Sequence, residues 1–218
     1  MNDNFHPAGA IFDMDGLMLD TERPMVPLWT IAGKPYGYDI KPDVVIRTLG
    51  IDVEGTRDIM LAEYGPEFPY EVIREEMHRL AAVEYEKGIS HRPGLVPLLD
   101  FFASRNIPMA VATSTRRDSA LDKLAKAGIE ERFTTIVCGD EISRGKPAPD
   151  IFLLAAKKLG KKPSECVGFE DSSPGLHALH AAGIRSVFVK DLVEPPPEIL
   201  ATVWHRCADL AEAINLFV

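Results

Sequence analysis

The stretch that decides the fold is residues 10–22, which read AIFDMDGLMLDTE. Its first three residues are apolar, and a short apolar run that ends at polar residues predicts a buried β-strand. Asp13 and Asp15 follow at once, and because alternate side chains of an extended chain point the same way, both carboxylates can face one ligand. Open parallel sheets bind ligands at the carboxyl ends of their strands. Two carboxylates placed so closely also require a cation or a shared proton, so the stretch predicts a polar site at this strand end.

Four more short apolar runs predict further buried strands. They lie at residues 109–112, 136–138, 166–169 and 186–189. Amphipathic stretches separate most of them, and a glycine closes each stretch, which is a common helix stop signal. These stretches predict helices over residues 117–127, 151–159 and 174–182. Alternating strands and helices predict an α/β fold in which helices cover both faces of a parallel sheet.

Residues 17–88 interrupt this alternation because they contain no convincing strand pattern. Helical periodicity is clear instead over residues 53–64 and 70–87. Glycines near both ends of the interval, and a proline near the second end, are typical of linkers between domains. We therefore expect an all-helical domain over residues 17–88, inserted into an α/β core formed by residues 1–16 and 89–218.

Composition restricts the partners and the location of the protein. The chain has 218 residues, of which 46% are apolar, enough for one sizeable core and a small accessory domain. Its formal net charge is −9 and it has no long basic run, so we expect no nucleic-acid partner. No secretory signal and no membrane-spanning apolar run is evident, and the three cysteines are odd in number and widely spaced. We expect a monomeric cytoplasmic enzyme with reduced cysteines and no membrane partner.

Three other polar segments follow predicted strands and contain groups that phosphoryl transfer requires. Residues 113–115 read TST and offer hydroxyls and backbone N–H groups at a helix start, where the helix dipole favours an anion. Residues 145–150 read GKPAPD and present Lys146 on a stiff turn. Residues 168–175 read GFEDSSPG, and the adjacent glutamate and aspartate could hold a hard divalent cation. Each segment alone is equally consistent with an ordinary turn or helix cap, but their shared position at strand ends favours one common site.

As an ordered set, these segments resemble the haloacid dehalogenase-like superfamily of hydrolases over most of the chain. Within that superfamily, the resemblance is to the branch containing β-phosphoglucomutase, phosphoglycolate phosphatase and the sugar-phosphate phosphatases. The resemblance implies a Rossmann-like core with a helical cap inserted after the first strand. It also implies that the protein hydrolyses small phosphorylated metabolites, sugar phosphates being the expected class, through an aspartyl-phosphate intermediate and with Mg²⁺ as cofactor.

The resemblance implies a catalytic role for each matching residue. Asp13 would be the nucleophile, and Asp15 would be the general acid and base. Thr113 would donate a hydrogen bond to phosphate beside Ser114, a further substrate-binding residue. Lys146 would bind substrate and stabilise negative charge on the nucleophile and the phosphate.

The resemblance also implies a set of magnesium ligands. They are the Asp13 carboxylate, the backbone carbonyl of Asp15, and the acids Glu170 and Asp171. Of the last two, Asp171 is expected to bind the ion directly, while Glu170 can act through water.

The cap would control protonation and selectivity. Asp15 must be protonated to supply a proton to the leaving group, so we expect cap closure to remove water from it and raise its pKa. Selectivity would reside mostly in the cap, where the candidate groups are Arg23, Arg47, Thr48, Arg57 and His78.

Three alternative functions compete with the phosphatase. β-Phosphoglucomutase carries a cap histidine and a cap arginine where this chain has Met25 and Val53, which favours hydrolysis over phosphosugar isomerisation. Arg57 could compensate through a shifted loop. Dehalogenases of the same superfamily use no Mg²⁺, so in a dehalogenase the acids Asp15, Glu170 and Asp171 would have no purpose. A binding protein on this scaffold would not need the complete set of catalytic side chains.

Overall fold

A computed structural model describes residues 5–51 and 53–218. The chain forms two compact units: the first combines the described residues up to Leu19 with Ser90–Val218, and the second is Asp20–Ile89. The first unit contains a six-stranded sheet, whereas the described residues of the second contain helices and no strand. Within the described chain, no helix has both the length and the apolar character that crossing a bilayer demands.

The sheet is parallel throughout. Its strands are β1 (Gly9–Phe12), β2 (Met109–Ala112), β3 (Thr135–Val137), β4 (Cys166–Glu170), β5 (Arg185–Val189) and β6 (His205–Cys207). Their order across the sheet is β3-β2-β1-β4-β5-β6, so β1 lies at the centre, between β2 and β4. This confirms the predicted α/β fold. The sequence patterns missed β6, because two of its three residues are exposed and polar and no apolar run marks it.

Nine α-helices lie within the described chain. They are α1 (Glu22–Gly33), α2 (Pro42–Ile46), α3 (Val53–Tyr64), α4 (Tyr70–Tyr85), α5 (Leu95–Ser104), α6 (Arg117–Lys126), α7 (Asp150–Lys158), α8 (Ser173–Ala182) and α9 (Pro197–Leu200). The predicted helices correspond to α3, α4, α6, α7 and α8. The patterns missed α1, which carries Pro27 in its interior, because proline normally argues against a helix.

Helices cover both faces of the sheet. On one face, Ile11 of β1 belongs to a buried cluster that includes residues of α7 and α8, among them Leu179. On the other face, Phe12 stacks on Phe169 with ring centroids 4.7 Å apart and meets Phe102 of α5 edge to face at 6.1 Å. Because successive strand side chains point to opposite faces, α5 lies on the face opposite α7 and α8.

The second unit has an apolar core of its own. Helices α1 and α4 pack together, and Trp29 stacks with Tyr70 at 6.0 Å between ring centroids. Ile73 is fully buried in the same cluster. The Thr30 hydroxyl also donates a hydrogen bond to the Ile40 carbonyl at 2.6 Å. A separate buried core is the physical requirement for a domain that can fold as a unit.

Candidate active site

The carboxyl ends of β1, β2 and β4 bring the predicted site residues to one edge of the sheet. In the sheet register, Phe12 pairs with Val111 of β2 and with Phe169 of β4. The Asp13 N–H then donates to the Phe169 carbonyl at 3.1 Å, and the Thr113 N–H donates to a carbonyl at the end of β3 at 3.0 Å. The segments that follow these strands therefore emerge side by side, at the edge where parallel sheets bind ligands.

A tight loop holds the two aspartates that follow β1. The Met14 carbonyl accepts hydrogen bonds from two N–H groups farther along the loop, both at 3.0 Å, and the Met14 residue is fully buried. Gly16 closes the turn with a φ of 82°, a conformation that costs glycine little. Because successive side chains of extended backbone alternate, the burial of Met14 directs Asp13 and Asp15 away from it.

Lys146 joins Asp13 to Glu170, the last residue of β4. Its ammonium group donates hydrogen bonds to Asp13 Oδ1 and, at 2.6 Å, to Glu170 Oε1. The side chains of Lys146, Asp13 and Glu170 are 6%, 12% and 0% exposed. Solvent screens such buried charges very little, so the three groups behave as one electrostatic unit.

Burial changes the proton affinity of this cluster. Loss of water raises the pKa of Asp13 to about 7, a rise that Lys146 opposes and Glu170 reinforces. Burial by itself would lower the pKa of Lys146, but the Asp13 and Glu170 carboxylates outweigh burial and hold that pKa above its usual range. Lys146 is therefore an ammonium ion at neutral pH, while the charge of Asp13 can change there.

The start of α8 holds Glu170 in place. Glu170 Oε2 accepts hydrogen bonds from the Asp171 N–H, the Ser172 N–H and the Ser172 hydroxyl, each at 2.9 Å. Ser172 caps α8 by accepting a hydrogen bond from the Gly175 N–H at 3.2 Å, and a helix N-terminus favours a nearby carboxylate. A Cβ atom at Gly175 would lie 1.7 Å from Glu170 Oε1. Glu170 can therefore occupy this position only beside a glycine.

Asp13, Glu170 and Asp171 form a buried cluster suited to a metal ion. Each offers a carboxylate oxygen, and the three oxygens lie within 4.8 Å of one another. Hard cations such as Mg²⁺ prefer oxygen ligands of this kind. When ionised, three carboxylates and the single ammonium of Lys146 leave a formal charge of −2, which a divalent cation would neutralise. The residues present therefore fit a site for a hard divalent cation. Glu170 already accepts four hydrogen bonds, so Asp171 is better suited to bind the ion directly.

Two side chains that the sequence patterns did not connect with Asp15 hold its carboxylate. The Thr115 hydroxyl donates to Asp15 Oδ2 at 2.7 Å, and the Lys123 ammonium donates to Asp15 Oδ1 at 2.6 Å. Thr115 belongs to the TST run, whose hydroxyls were predicted to contact phosphate rather than Asp15. Lys123 also left a signal, because it falls between Ala120 and Leu124, which are the buried residues of α6. A lysine at an inward position of an amphipathic helix indicates a buried acidic partner.

Thr113 and Ser114 differ in burial. Thr113 is buried, and its hydroxyl accepts a hydrogen bond from the Thr115 N–H at 3.1 Å, so the hydroxyl proton can still be donated. Ser114 is exposed. A Cβ atom at Gly139 would come within 2.2 Å of the Ser114 carbonyl, and the Gly139 N–H donates to the Thr115 carbonyl at 3.0 Å. Gly139 thus supports this loop closely, while the phosphate-binding roles of Thr113 and Ser114 stay predictions.

Several predicted selectivity residues are engaged within the helical unit. Arg47 pairs with Glu63 at 2.7 Å, and Arg57 lies 3.9 Å from Glu71. The buried Thr48 donates its hydroxyl proton to a backbone carbonyl at 2.7 Å. The two arginine side chains are about half exposed, so a ligand could compete with their acidic partners. Their role in selectivity stays a prediction.

A family comparison covers most of the chain. Residues 10–189 match the family described as haloacid dehalogenase-like hydrolases. The matched stretch begins at β1 and ends with β5, and it includes every strand end that contributes to the site.

Individual relatives are similar over most of their own length. A protein from Thermotoga maritima named phosphorylated carbohydrates phosphatase is 31% identical, with 82% of this chain and 83% of the relative covered. Fructose-1-phosphate phosphatase YqaB from Escherichia coli is 34% identical, with 84% and 96% covered. The crystal structure of β-phosphoglucomutase from Clostridium difficile superposes with a TM-score of 0.74 at 25% identity, with 94% and 92% covered.

Proposed function

Because the chain belongs to the haloacid dehalogenase-like hydrolases, we propose that it hydrolyses small phosphate esters with Mg²⁺ by transferring the phosphoryl group to Asp13. The protein is a phosphoric monoester hydrolase of small phosphorylated metabolites. We propose sugar phosphates as the substrate class, since two of its relatives are named for phosphorylated carbohydrates and fructose 1-phosphate.

One observation carries this proposal: the buried Lys146 ammonium bridges Asp13 and Glu170 within the cluster that fits a metal ion. A phosphate monoester is a dianion, so an approaching carboxylate requires opposing positive charge. Lys146 provides that charge at Asp13 itself. A bound Mg²⁺, held by Asp13, Asp171 and Glu170, would supply further positive charge for the phosphate oxygens.

In the first step, an Asp13 carboxylate oxygen attacks phosphorus while the bond from phosphorus to the ester oxygen breaks. Asp15 gives its proton to the departing alkoxide, which leaves as an alcohol. The product is an aspartyl phosphate on Asp13. Thr113 would donate its hydroxyl proton to a phosphate oxygen, and Lys146 would stabilise charge on the transferred group.

In the second step, water attacks the phosphorus of the aspartyl phosphate. Asp15, now ionised, accepts a proton from the water, and the bond between phosphorus and the Asp13 oxygen breaks. Inorganic phosphate leaves, and both aspartates return to their starting states. One carboxyl group near Asp13 can serve both steps because it alternates between acid and base.

The test is a panel of phosphate esters assayed with Mg²⁺ for both free phosphate and isomerised product. The panel includes hexose phosphates, phosphoglycolate and β-glucose 1-phosphate. We expect phosphate release from several sugar phosphates and its loss after chelation of the metal. Isomer without phosphate release would instead establish a phosphomutase, and no reaction with any ester would indicate a binding protein.

Replacement of the nucleophile is the decisive variant. Asp13→Asn should lower kcat by at least about a thousandfold, because the amide cannot form the covalent intermediate. Asp122→Asn provides the matched control, since Asp122 is an exposed aspartate on α6 that pairs with Lys126. Turnover by Asp13→Asn at the parent rate would refute the covalent route.

A further inference from the structure

We propose, building on the proposed function, that Lys123 is a positioning residue for Asp15. With Thr115, it holds the Asp15 carboxylate in the orientation from which this group exchanges protons with the substrate and with water. Lys123 acts through Asp15 and transfers no proton itself.

Two hydrogen bonds from separate elements fix the carboxylate of Asp15. Lys123, in the second turn of α6, donates to Oδ1 at 2.6 Å, and Thr115, in the loop after β2, donates to Oδ2 at 2.7 Å. With one hydrogen bond, the planar carboxylate of Asp15 could still rotate about its Cβ–Cγ bond. Bonds to both oxygens restrict that rotation as well as the position, and orientation is what a proton-transfer group requires.

The burial of this ion pair separates it from the ordinary ion pairs of the same helix. The Lys123 and Asp15 side chains are 19% and 25% exposed. Lys126, three residues farther along α6, is 21% exposed, but its partner Asp122 is 57% exposed. Of the two pairs, only Lys123 and Asp15 therefore have both side chains largely shielded from water. Removing charges from water is costly, and an apolar side chain at position 123 would continue the buried face of α6. The lysine is therefore not explained by helix packing, whereas pairing with a catalytic carboxylate accounts for it.

Positioning and simple stabilisation predict different kinetics. If Lys123 only stabilises the fold, its loss should affect every substrate by the same factor. If Lys123 orients Asp15, its loss should affect steps that move a proton. Formation of the phosphoenzyme from a hexose phosphate needs such a proton, because the alkoxide is a poor leaving group. Formation from p-nitrophenyl phosphate does not, because p-nitrophenolate leaves readily as an anion.

The experiment compares single-turnover alcohol release from a hexose phosphate and from p-nitrophenyl phosphate, with Mg²⁺ present, for the parent and three variants. For Lys123→Met, we expect the hexose phosphate rate to fall by about tenfold to a hundredfold. The p-nitrophenol burst rate and the half-saturating concentration of each ester should stay within about threefold of the parent. Lys123→Arg should restore part of the loss, because it keeps the positive charge. Lys126→Met, the matched control on the same helix, should leave both rates within about twofold.

Equal losses on the two esters, or no loss on either, would overturn the positioning role. If circular dichroism shows that Lys123→Met is unfolded, Thr115→Val makes the same comparison from the other oxygen of Asp15. If the parent is active but neither variant loses activity selectively on the hexose phosphate, this inference is overturned and the proposed function is not. A parent that releases phosphate from no ester would overturn the proposed function and this inference with it.

Discussion

Charged side chains serve different purposes in the sheet unit and in the helical unit. Lys146 and Asp13 are 133 positions apart in the sequence, and their side chains are 6% and 12% exposed. Arg79 and Glu76 of the helical unit are three positions apart, and their side chains are 62% and 31% exposed. Water screens the second pair, whereas the first is held away from solvent and costs more to break. The difference between the two pairs predicts which charged residues can be replaced with little effect on stability or activity.

Removal of the buried ammonium should have the largest effect. Lys146→Met would leave two adjacent carboxylates buried without their cation, so we expect the free energy of unfolding to fall by about 3–5 kcal/mol at pH 8. We also expect kcat to fall by at least about a thousandfold, because the phosphate would lose an opposing charge. Urea denaturation of the metal-free protein and steady-state kinetics measure the two effects.

Lys157→Met is the matched control for that experiment, because Lys157 is an exposed lysine on α7. It should leave both the urea midpoint and kcat close to the parent values. If Lys146→Met proved as harmless as Lys157→Met, the contrast between buried and exposed charges would be invalid.

A methyl group placed against Glu170 tests the same cluster without changing any charge. In Gly175→Ala, the added Cβ atom would overlap Glu170 Oε1, so the carboxylate must leave its position at the start of α8. We expect the Mg²⁺ dissociation constant to rise by about tenfold to a hundredfold. Isothermal titration calorimetry measures it, and His177→Ala, at an exposed position of α8, is the control. Unchanged affinity in Gly175→Ala would show that Glu170 does not support the metal.

Proton competition at Asp13 should give a smaller, graded effect. Because burial raises the pKa of Asp13 to about 7, a metal ion must displace a proton below that pH. Mg²⁺ affinity should therefore rise with pH and level off above 7, with a slope of up to about tenfold per pH unit below it. Titration in two buffers of different ionisation enthalpy counts the protons released, and release of none at pH 6 would contradict the prediction.

The same raised pKa determines how the stability of the metal-free protein depends on pH. Between the ordinary pKa of 3.8 and the raised pKa of about 7, the folded protein keeps a proton at Asp13 that the unfolded chain has released. The Asp13 contribution to the free energy of unfolding is therefore present at low pH and is lost as pH rises through this window. In Asp13→Asn, this part of the pH dependence should disappear.

Loss of an exposed pair should have the smallest effect. Arg79→Ala removes a hydrogen-bonded partner of Glu76, yet both groups are accessible to water. We expect the melting temperature and kcat to match those of the parent, because exposed ion pairs contribute little. A clear fall in melting temperature would mean that exposed ion pairs contribute substantially to the stability of the helical unit.

Local patterns predicted much of the sheet and part of the helical unit. The central strands are buried on both faces, so their sequences read as apolar runs, as in 109–112. Strand β6 lies at the sheet edge with His205 and Arg206 exposed, and such a strand leaves no apolar run. Helix α1 forms despite Pro27, because packing of its apolar face, including Trp29, outweighs the local preference.

The sequence predicted those residues of the candidate site that lie at the ends of strands. Asp13, Thr113 and Glu170 lie at or directly after strand ends, and parallel strands bring those ends to one edge. Lys123 lies within α6 between the buried Ala120 and Leu124, a position that indicates an acidic partner but does not say which one. Its partner could be recognised only once α6 was packed beside the loop after β1.

The sequence by itself determined the alternation of strands β1 to β5 with core helices, the interruption by a helical segment, the polar segments at strand ends, and thus the class of chemistry. These properties follow from hydrophobic periodicity and from residue types, both of which are local. Only the tertiary structure decided which ammonium lies against which carboxylate: Lys146 against Asp13 and Glu170, and Lys123 against Asp15. Such pairs join residues far apart in the chain, and hydrogen bonds act over about 3 Å, so they depend on packing that local patterns do not specify.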